Sequence, residues 1–555
     1  MKNKTIKDSG TVKIIPIGGL GAVGKNMTIF SQNDEMIIVD CGIMFPRDEM
    51  PGIDYIIPDF TFVKQNRDRV RGIILTHGHE DHIGAISFLL QEVRAPIYAT
   101  RLTIGLIQSR LEERPLKYEP EFIEVEPRQI EEIGGFTVEF IRVNHSIIGG
   151  VGLAIQTDAG TIIHTGDFKI DFSPVEGEVT DLYRFAYYGE KGVLLLMSDS
   201  TNAERPGFTR SESVLMDRLS DIFSDSKGRI IAASFASNIQ RIQQVMDTAQ
   251  KFNRKVVISG LTMQKNIEIA HTLGFLDIRD DLIISYEEAA KLPNKKIVII
   301  GTGTQGEPMS ALARMAFGTH RNFVAEKGDT VIITASVIPG NERMVTNIVN
   351  ALMETGVNVY YDKDENIHVS GHGSAKELKL MLSVTKPKFF MPVHGEYKHL
   401  KRHADIAEGL KIKPAHIIIA KNGDVLELSK KHFKKVDRIP LSEMYVDGTE
   451  IGDVASDVIK ERHMMSTEGI FFVTAVISQG MPMSEPEIIA RGFISRDNIK
   501  IHNALKKEIE DRMRKMLRER AGADAIQDAL RQSLKNTIFK LTRRNPLIVV
   551  RVIDV

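Results

Sequence analysis

Along the first two hundred positions, apolar residues come in short β-branched runs closed by glycine or polar residues. That pattern predicts strands. The runs fall at 12–17, 36–40, 70–76, 138–143, 152–156, 161–164 and 193–197, and the first ends in Gly18-Gly19-Leu20-Gly21. Helical periodicity lies between them, at 83–91 and 102–114. Strand and helix alternating through Gly-rich turns predict a layered α/β fold. From about Ser211 the texture changes. Helical stretches at 239–252 and 311–316 alternate with buried-type strands at 229–233, 255–259, 296–300 and 330–335. This is the pattern of a second α/β unit with a parallel sheet. Short strands return at 357–361 and 389–393. A strong strand at 469–477, a charged helical stretch at 499–520 and a strand-like tail, NPLIVVRVIDV, complete the chain.

The chain has 555 residues, 42% apolar and 26% charged. Such a length predicts several domains, and such a composition excludes disordered, collagen-like and membrane-spanning classes. The N-terminal residues lead into no apolar signal core, so the expected compartment is the cytoplasm, with no membrane partner. The single cysteine, Cys41, rules out an intrachain disulfide and a thiolate-rich zinc site. Seventy-two Lys and Arg balance 73 Asp and Glu, which argues against non-specific coating of nucleic acid. Only 498–555 is locally basic, with 14 Lys and Arg against 7 Asp and Glu, read as a solvated helix face or a subunit contact.

The sharpest chemistry is Thr76-His77-Gly78-His79-Glu80-Asp81-His82-Ile83-Gly84, directly after the predicted strand 70–76. A strand end passing into a helix start splays alternate side chains toward two neighbouring points. His77 and His79 would face one metal ion, Asp81 and His82 another. Imidazole and carboxylate donors suit Zn²⁺ or Mn²⁺. His145, Asp167 and His394 each follow another predicted strand, where catalytic groups of layered folds gather. Asp167 is the natural bridging ligand, because one carboxylate can serve two cations. His164 lies within a strand run and reads as a packed or supporting residue. Two adjacent metals point to metal-assisted hydrolysis.

This set resembles the metallo-β-lactamase superfamily. The long interval between Asp167 and His394, filled by the second α/β unit, is similar to the β-CASP insertion that the superfamily associates with nucleases. Further motifs resemble the bacterial ribonuclease J family: GLGAVGKN near the start, Ser198-Asp199-Ser200-Thr201-Asn202, Phe235-Ala236-Ser237-Asn238, the Gly301–Pro308 loop, His368-Val369-Ser370-Gly371-His372-Gly373, His394-Gly395-Glu396-Tyr397 and Arg491-Gly492-Phe493. Two places depart from the family pattern: Ile147-Ile148-Gly149-Gly150 stands where Pro-Asp-Ser is usual, and Ala22 where Glu is usual.

The resemblance implies an αββα sandwich (1–208, resuming at 361–447), an inserted β-CASP α/β domain (209–360), a linker (448–465) and a small α+β C-terminal domain (466–555). It implies a two-metal ribonuclease, Zn²⁺- or Mn²⁺-dependent, cleaving 5′→3′ from an end and also internally, in rRNA maturation and mRNA decay. Asp199 takes the proton-donor role, His372 the acceptor role, and Asp81 counts as both ligand and catalytic residue. Phe235, Ala236, Ser237 and Asn238, with His368, Val369, Ser370, Gly371 and His372, fall on the substrate-binding segments. The implied partners are single-stranded RNA with a 5′-monophosphate and further subunits, in a homodimer, a homotetramer or a hetero-oligomer with a paralogue. The competing readings are a DNA-directed or small-ester hydrolase on the same scaffold, and a weakly active partner subunit.

Overall fold

A computed structural model describes residues 10–47, 50–175, 178–304, 309–335, 337, 341–361, 367–448, 450–452, 456–492 and 499–555. Gln305–Pro308 of the Gly-rich loop, Phe493 and part of 448–453 lie outside the described residues. The chain divides into two units, Met1–Met44 with Ile57–Glu443, and Phe45–Ile56 with Met444–Val555.

The first unit is built on two large sheets. One has eight strands, in the order Phe433–Arg438, Asp424–Ser429, Thr11–Gly18, Met27–Gln32, Glu35–Val39, Val70–Ile74, Ile97–Ala99 and Phe122–Glu124. The other has six, in the order Phe389–Val393, Val193–Asp199, Thr161–His164, Val151–Gln156, Phe136–Arg142 and Ile130–Ile133. Strand periodicity explains how they stack. Phe140, Leu153, Ile162, Leu195 and Phe389 join Ile14, Phe30, Ile37 and Ile74 of the other sheet in one core. Their chain neighbours Ile141, Ala154, Ile163, Leu196 and Phe390 point the opposite way. There they meet Phe185, Leu378, Met381 and Ala407 of the helices Leu182–Lys191, Ala375–Thr385 and Tyr397–Gly409. A strand buried on both faces needs apolar residues at consecutive positions, which is why these runs read as continuous rather than alternating.

The inserted sheet has five strands, all neighbours parallel: Lys255–Ser259, Ile297–Gly301, Ile230–Ala233, Thr330–Ile333 and Asn358–Tyr360. The expected parallel arrangement is present. One helix differs from its expected course. The run at 83–91 is split into Glu80–Ile83 and Ile86–Glu92, with His79 as the first N-cap. The apolar pattern begins only at Ile83, so it could not show that the polar Glu-Asp-His turn is already helical.

In the second unit Ile470–Ser478 lies beside Leu547–Asp554 (parallel) and Glu487–Arg491 (antiparallel). Phe471, Val473, Ala475 and Ile477 pack against Leu505, Ile509 and Met513 of one helix and Ile526, Leu530, Leu534 and Ile538 of the next. The basic residues Lys507, Arg514, Lys515 and Arg518 stay exposed on the outer side, as a solvated face requires. The stretch read as a linker carries a helix, Ser456–Thr467.

Candidate metal centre

Strand direction gathers the candidate residues. Thr161–His164, Val193–Asp199 and Phe389–Val393 pair in parallel, with Asp199 opposite Val393. The loops that follow, bearing Asp167, Thr201 and His394, therefore leave one sheet edge together. Phe136–Arg142 is antiparallel to a strand that is itself antiparallel to Thr161–His164, so His145 reaches the same edge. In the other sheet Glu35–Val39 and Val70–Ile74 are parallel, which brings Asp40 beside Thr76 and His77. Asp40 (φ 63°) and His394 (φ 56°) adopt the left-handed backbone region. A non-glycine residue there costs ~1–3 kcal/mol, so the surrounding contacts hold both in place.

Among the described residues three overlapping groups of donor atoms result. His77, His79 and His145 form the first, Asp81, His82, Asp167 and His394 the second, and Asp167, Asp199, His372 and His394 the third. In the first, His79 Nδ1 lies 3.1 Å from His77 Nε2 and 3.0 Å from His145 Nε2. In the second, His394 Nε2 lies 3.1 Å from Asp81 Oδ2, and His82 Nε2 is 3.6 Å from that same oxygen. Asp167 Oδ2 joins the groups, at 3.8 Å from His77 Nε2, 3.7 Å from His145 Nε2, 3.2 Å from His82 Nε2 and 3.7 Å from His394 Nε2. Ligand atoms at about 2.1 Å from a tetrahedral ion are about 3.4 Å apart, and the observed separations bracket that value. The nitrogen and carboxylate donor set and its spacing thus fit divalent metal.

Groups on the far side of the ligands fix them, as metal-binding imidazoles require. His82 Nδ1 lies 2.7 Å from Asp40 Oδ2, and Asp40 also accepts from the Thr76 amide and hydroxyl. His145 Nδ1 is 2.7 Å from the Gly371 carbonyl, and His394 Nδ1 is 2.6 Å from Thr201 Oγ1. Asn26, the last residue of GLGAVGKN, donates to the Asp81 carbonyl through its side chain (3.0 Å) and its backbone (2.9 Å). Gly42 is packed so closely that a Cβ would overlap the Asp81 carbonyl. Ile147 of the unusual loop is buried against Gly78, between the ligands His77 and His79. His164 is buried and accepts from the Gly166 amide, a packed residue as expected.

Burial holds the His77, His79 and His145 imidazoles well below their ordinary pKa, His79 down to about 4. They are neutral, the form that binds metal. Burial opposes protonation of His82 and His394 as well, but the carboxylates outweigh it: Asp167, Asp81 and Asp40 raise His82, and Asp167 leads in raising His394 to about 10. Asp81 and Asp167 stay ionised despite burial, because the imidazoles around them favour the charged form. Among the described residues no Lys or Arg pairs with either carboxylate; in the metal-free chain protonated His82 and His394 balance them, the place a divalent cation would take.

Asp199 and His372 meet beside this cluster, with His372 Nδ1 2.8 Å from Asp199 Oδ2. Burial acts against both charged forms, yet each partner holds the other charged: the carboxyl lies below its usual range, the imidazole above. The segment His368–His372 is pinned to the centre. Asn202 Nδ2 donates to Ser370 Oγ and to the His372 carbonyl. Gly371 must be glycine, since a Cβ would press on the His145 ring and Ser146. Val369 is buried. His368 Nδ1 faces the Thr334 carbonyl at 3.2 Å while its Nε2 is buried without a partner among the described residues, and burial followed by Arg241 lowers its pKa to about 4. In the other segment, Asn238 caps the helix Ile239–Lys251 by accepting from the Arg241 amide, and the Ala236 carbonyl accepts from Asn266. Phe235 and Ser237 are half-buried at the same turn.

Sequence reasoning missed Asp40 and Glu377, and it named Asn26 and Asn202 within motifs without giving either a role. Glu377 is fully buried and accepts from the amides of Ile170, Thr209 and Ser374, tying together the loops that carry Asp167, Asn202 and His372. Its readable signal was the Ser374-x-x-Glu377 capping box.

A two-sheet sandwich with this histidine–aspartate cluster at its strand ends defines a metal-dependent hydrolase of the metallo-β-lactamase class. Family models agree: the metallo-beta-lactamase superfamily matches residues 20–203, the ribonuclease J beta-CASP domain 227–352, the Zn-dependent metallo-hydrolase RNA specificity domain 356–418 and the ribonuclease J C-terminal domain 457–555. Ribonuclease J 1 of Streptococcus pyogenes serotype M3 is 42% identical over 557 residues, covering 100% of this chain and 99% of that protein. Ribonuclease J of Helicobacter pylori (strain ATCC 700392 / 26695) is 40% identical over 553 residues, 98% of this chain and 80% of its own length. A solved protein of unknown function from Enterococcus faecalis V583 shares the fold, with a TM-score of 0.54 at 16% identity over 75% of this chain and 100% of its own. The chain belongs to the ribonuclease J family and is a metal-dependent ribonuclease. Among the described residues no helix is long and apolar enough to cross a membrane.

Proposed function

We infer that this protein hydrolyses RNA phosphodiesters with two divalent ions, Zn²⁺ or Mn²⁺, working 5′→3′ from a monophosphorylated end and also internally, in rRNA maturation and mRNA decay. The observation that carries this is the single oxygen, Asp167 Oδ2, within 3.8 Å of one nitrogen from each of His77, His82, His145 and His394. His77, His79 and His145 would hold one ion, Asp81, His82 and His394 the other, with Asp167 shared. Such ions supply Lewis acidity toward water and phosphoryl oxygen.

The remaining work belongs to the chain's own groups. Asp40, Thr201 and the Gly371 carbonyl orient the ligand imidazoles. Asp199 and His372 share one proton across 2.8 Å, and we assign proton transfer to that pair, which titrates as a unit, rather than to either side chain alone. The turn Phe235–Asn238 opens a helix whose first amides can meet phosphate. The segment His368–His372 lies beside the proton-transfer pair and positions the strand to be cut. In this reading the catalytic domain occupies 1–208 and 361–447, the β-CASP domain 209–360 and the C-terminal domain 466–555. The protein works in the cytoplasm as a homodimer or homotetramer, or with a paralogue.

The test incubates purified protein and Mn²⁺ with 5′-monophosphorylated RNA, its 5′-triphosphate form, matched DNA and a thioester. Mononucleotides from the monophosphorylated RNA and internal fragments from the triphosphate form, both abolished by chelation, are expected. Equal turnover of DNA, or no RNA cleavage, would overturn it.

A further inference from the structure

The chain has no tryptophan, so a surface for stacking RNA bases must come from another ring. We propose that Phe208 is a nucleobase-stacking platform beside the scissile position, flanked by a short basic strip. The proposal rests on reading the His372 region as the place where RNA is cut.

Phe208 is 49% exposed although it sits in a rigid part of the fold. On one side of it, Thr209 donates its hydroxyl to the His372 carbonyl (2.8 Å) and its amide to buried Glu377 (2.6 Å). On the other, the carbonyls of Gly207 and Arg205 accept from the amides of Lys376 (3.0 Å) and Ala375 (2.9 Å). The segment 202–209 therefore runs along 370–376 and is hydrogen-bonded to it at several points. Phe208 adjoins Thr209, whose hydroxyl is bonded to the backbone carbonyl of His372, so it stands on a segment tied to the one that carries the proton-transfer pair.

Phe208 keeps about half of its surface in water on an ordered backbone, where a flat ligand can reach it. Its surroundings match a polyanion. Lys376 Nζ lies 5.9 Å from the ring centroid, and Arg205, Arg210 and Lys376 are exposed. Phe172, 68% exposed, lies on the adjoining loop, where the Ser211 hydroxyl donates to the Ser173 carbonyl. Rings interleaved with cations are what sequence-independent binding of single strands uses, since every base offers a π-face. Tyr397 is also exposed and near His394, but its neighbour Lys398 is paired with Glu396. Around Phe208, by contrast, Arg205, Arg210 and Lys376 form no ion pair among the described residues, and the nearby Glu377 carboxylate is taken up by backbone amides.

The test is a cycle of ring and base deletion. Wild type, Phe208→Ala, Phe208→Leu and Phe208→Tyr are assayed on a short 5′-monophosphorylated RNA, on a set of the same RNA with one abasic nucleotide at each position, and on the same oligomer abasic at every position, a phosphodiester without a base or any other aromatic ring. Phe208→Ala and Phe208→Leu should lose about 5- to 150-fold in kcat/KM on intact RNA, the usual worth of one base–aromatic stack. They should hydrolyse the base-free ester like wild type, and Phe208→Tyr should retain RNA cleavage. One abasic position should cost the wild type a similar factor and cost the variants nothing further. Unchanged RNA cleavage by both variants, equal loss on the two substrates, or a wild type indifferent to every abasic position would overturn the proposal. A wild type that cuts the ester but no RNA would instead remove the underlying reading, and the subsite with it.

Discussion

Replacing Glu377 with alanine should loosen three loops of the candidate site at once. The carboxylate is fully buried, and its Oε1 accepts from Ile170 N at 2.7 Å, its Oε2 from Thr209 N at 2.6 Å and Ser374 N at 2.7 Å. Those amides stand three residues after Asp167, on the residue that holds the His372 carbonyl, and two residues after His372. Alanine leaves three buried donors without an acceptor, and at about 1–1.5 kcal/mol for each lost bond the destabilisation is about 3–5 kcal/mol. Glutamine keeps the shape. Its best orientation satisfies Thr209 and Ser374 and sets its NH₂ against the Ile170 amide, at a cost of about 1–2 kcal/mol. Urea unfolding, followed by far-ultraviolet circular dichroism and tyrosine fluorescence, should rank wild type above Glu377→Gln above Glu377→Ala. RNA cleavage, measured where all three are folded, should follow the same order. An alanine variant within about 0.5 kcal/mol of wild type, the range of ordinary surface substitutions, would refute the argument.

Gly42→Ala should displace the Asp81 carbonyl and with it the Asp81–His82 ligand pair; metal content should fall in the folded variant, and retained stoichiometry would contradict the packing argument. Asp81→Ala should abolish RNA cleavage with little effect on folding, and Asp167→Ala should lower metal affinity at both positions in calorimetric titration; an active Asp81→Ala would show the ligand assignment to be wrong. Glu212 connects Lys169 (3.2 Å) to fully buried Arg241 (2.8 Å), and these two, against the opposing effect of burial, hold its carboxyl down to about 2. The folded pKa is the lower one, so this stabilisation, about 3 kcal/mol, is complete above the unfolded value near 4.3 and is lost as pH falls through about 2. Arg241→Met should move acid unfolding to higher pH, and an unmoved midpoint would contradict the pairing.

The parts of the protein legible in sequence share a physical character: they depend on local periodicity or on neighbours in the chain. The runs at 161–164, 255–259 and 389–393 have the bounds of the observed strands, because a strand buried on both faces is apolar through its middle and polar residues such as Thr161, His164, Lys255 and Ser259 mark its ends. The cluster His77–His82 is visible because its donors lie within one turn. His145, Asp167 and His394 could be selected because each follows a strand, and the sheet's directions bring them to one edge. Asp40 also follows a strand, but its chain neighbours Val39, Cys41 and Gly42 offer no second imidazole or carboxylate, and only parallel pairing with Val70–Ile74 reveals what it touches. The roles of Asn26 and Glu377 were hidden for the same reason: their partners lie 55 and 207 positions away. The strand Met27–Gln32 carries Thr28, Ser31 and Gln32, and its polar side chains masked a segment that is buried throughout. The helix Ala523–Thr542 was read only as part of a basic run, though its stripe Ile526, Leu530, Leu534 and Ile538 forms much of the second unit's core.

Scattered histidines and aspartates converge on a site for the divalent metal that the enzyme needs to cut RNA. Anomalous diffraction from crystals of protein shown to cleave RNA, recorded at the zinc and manganese edges, tests this most directly. Two peaks about 3.5–4 Å apart on either side of Asp167 are expected, as in two-metal hydrolases. A fully active preparation with no peak there, or with metal only elsewhere, would contradict it.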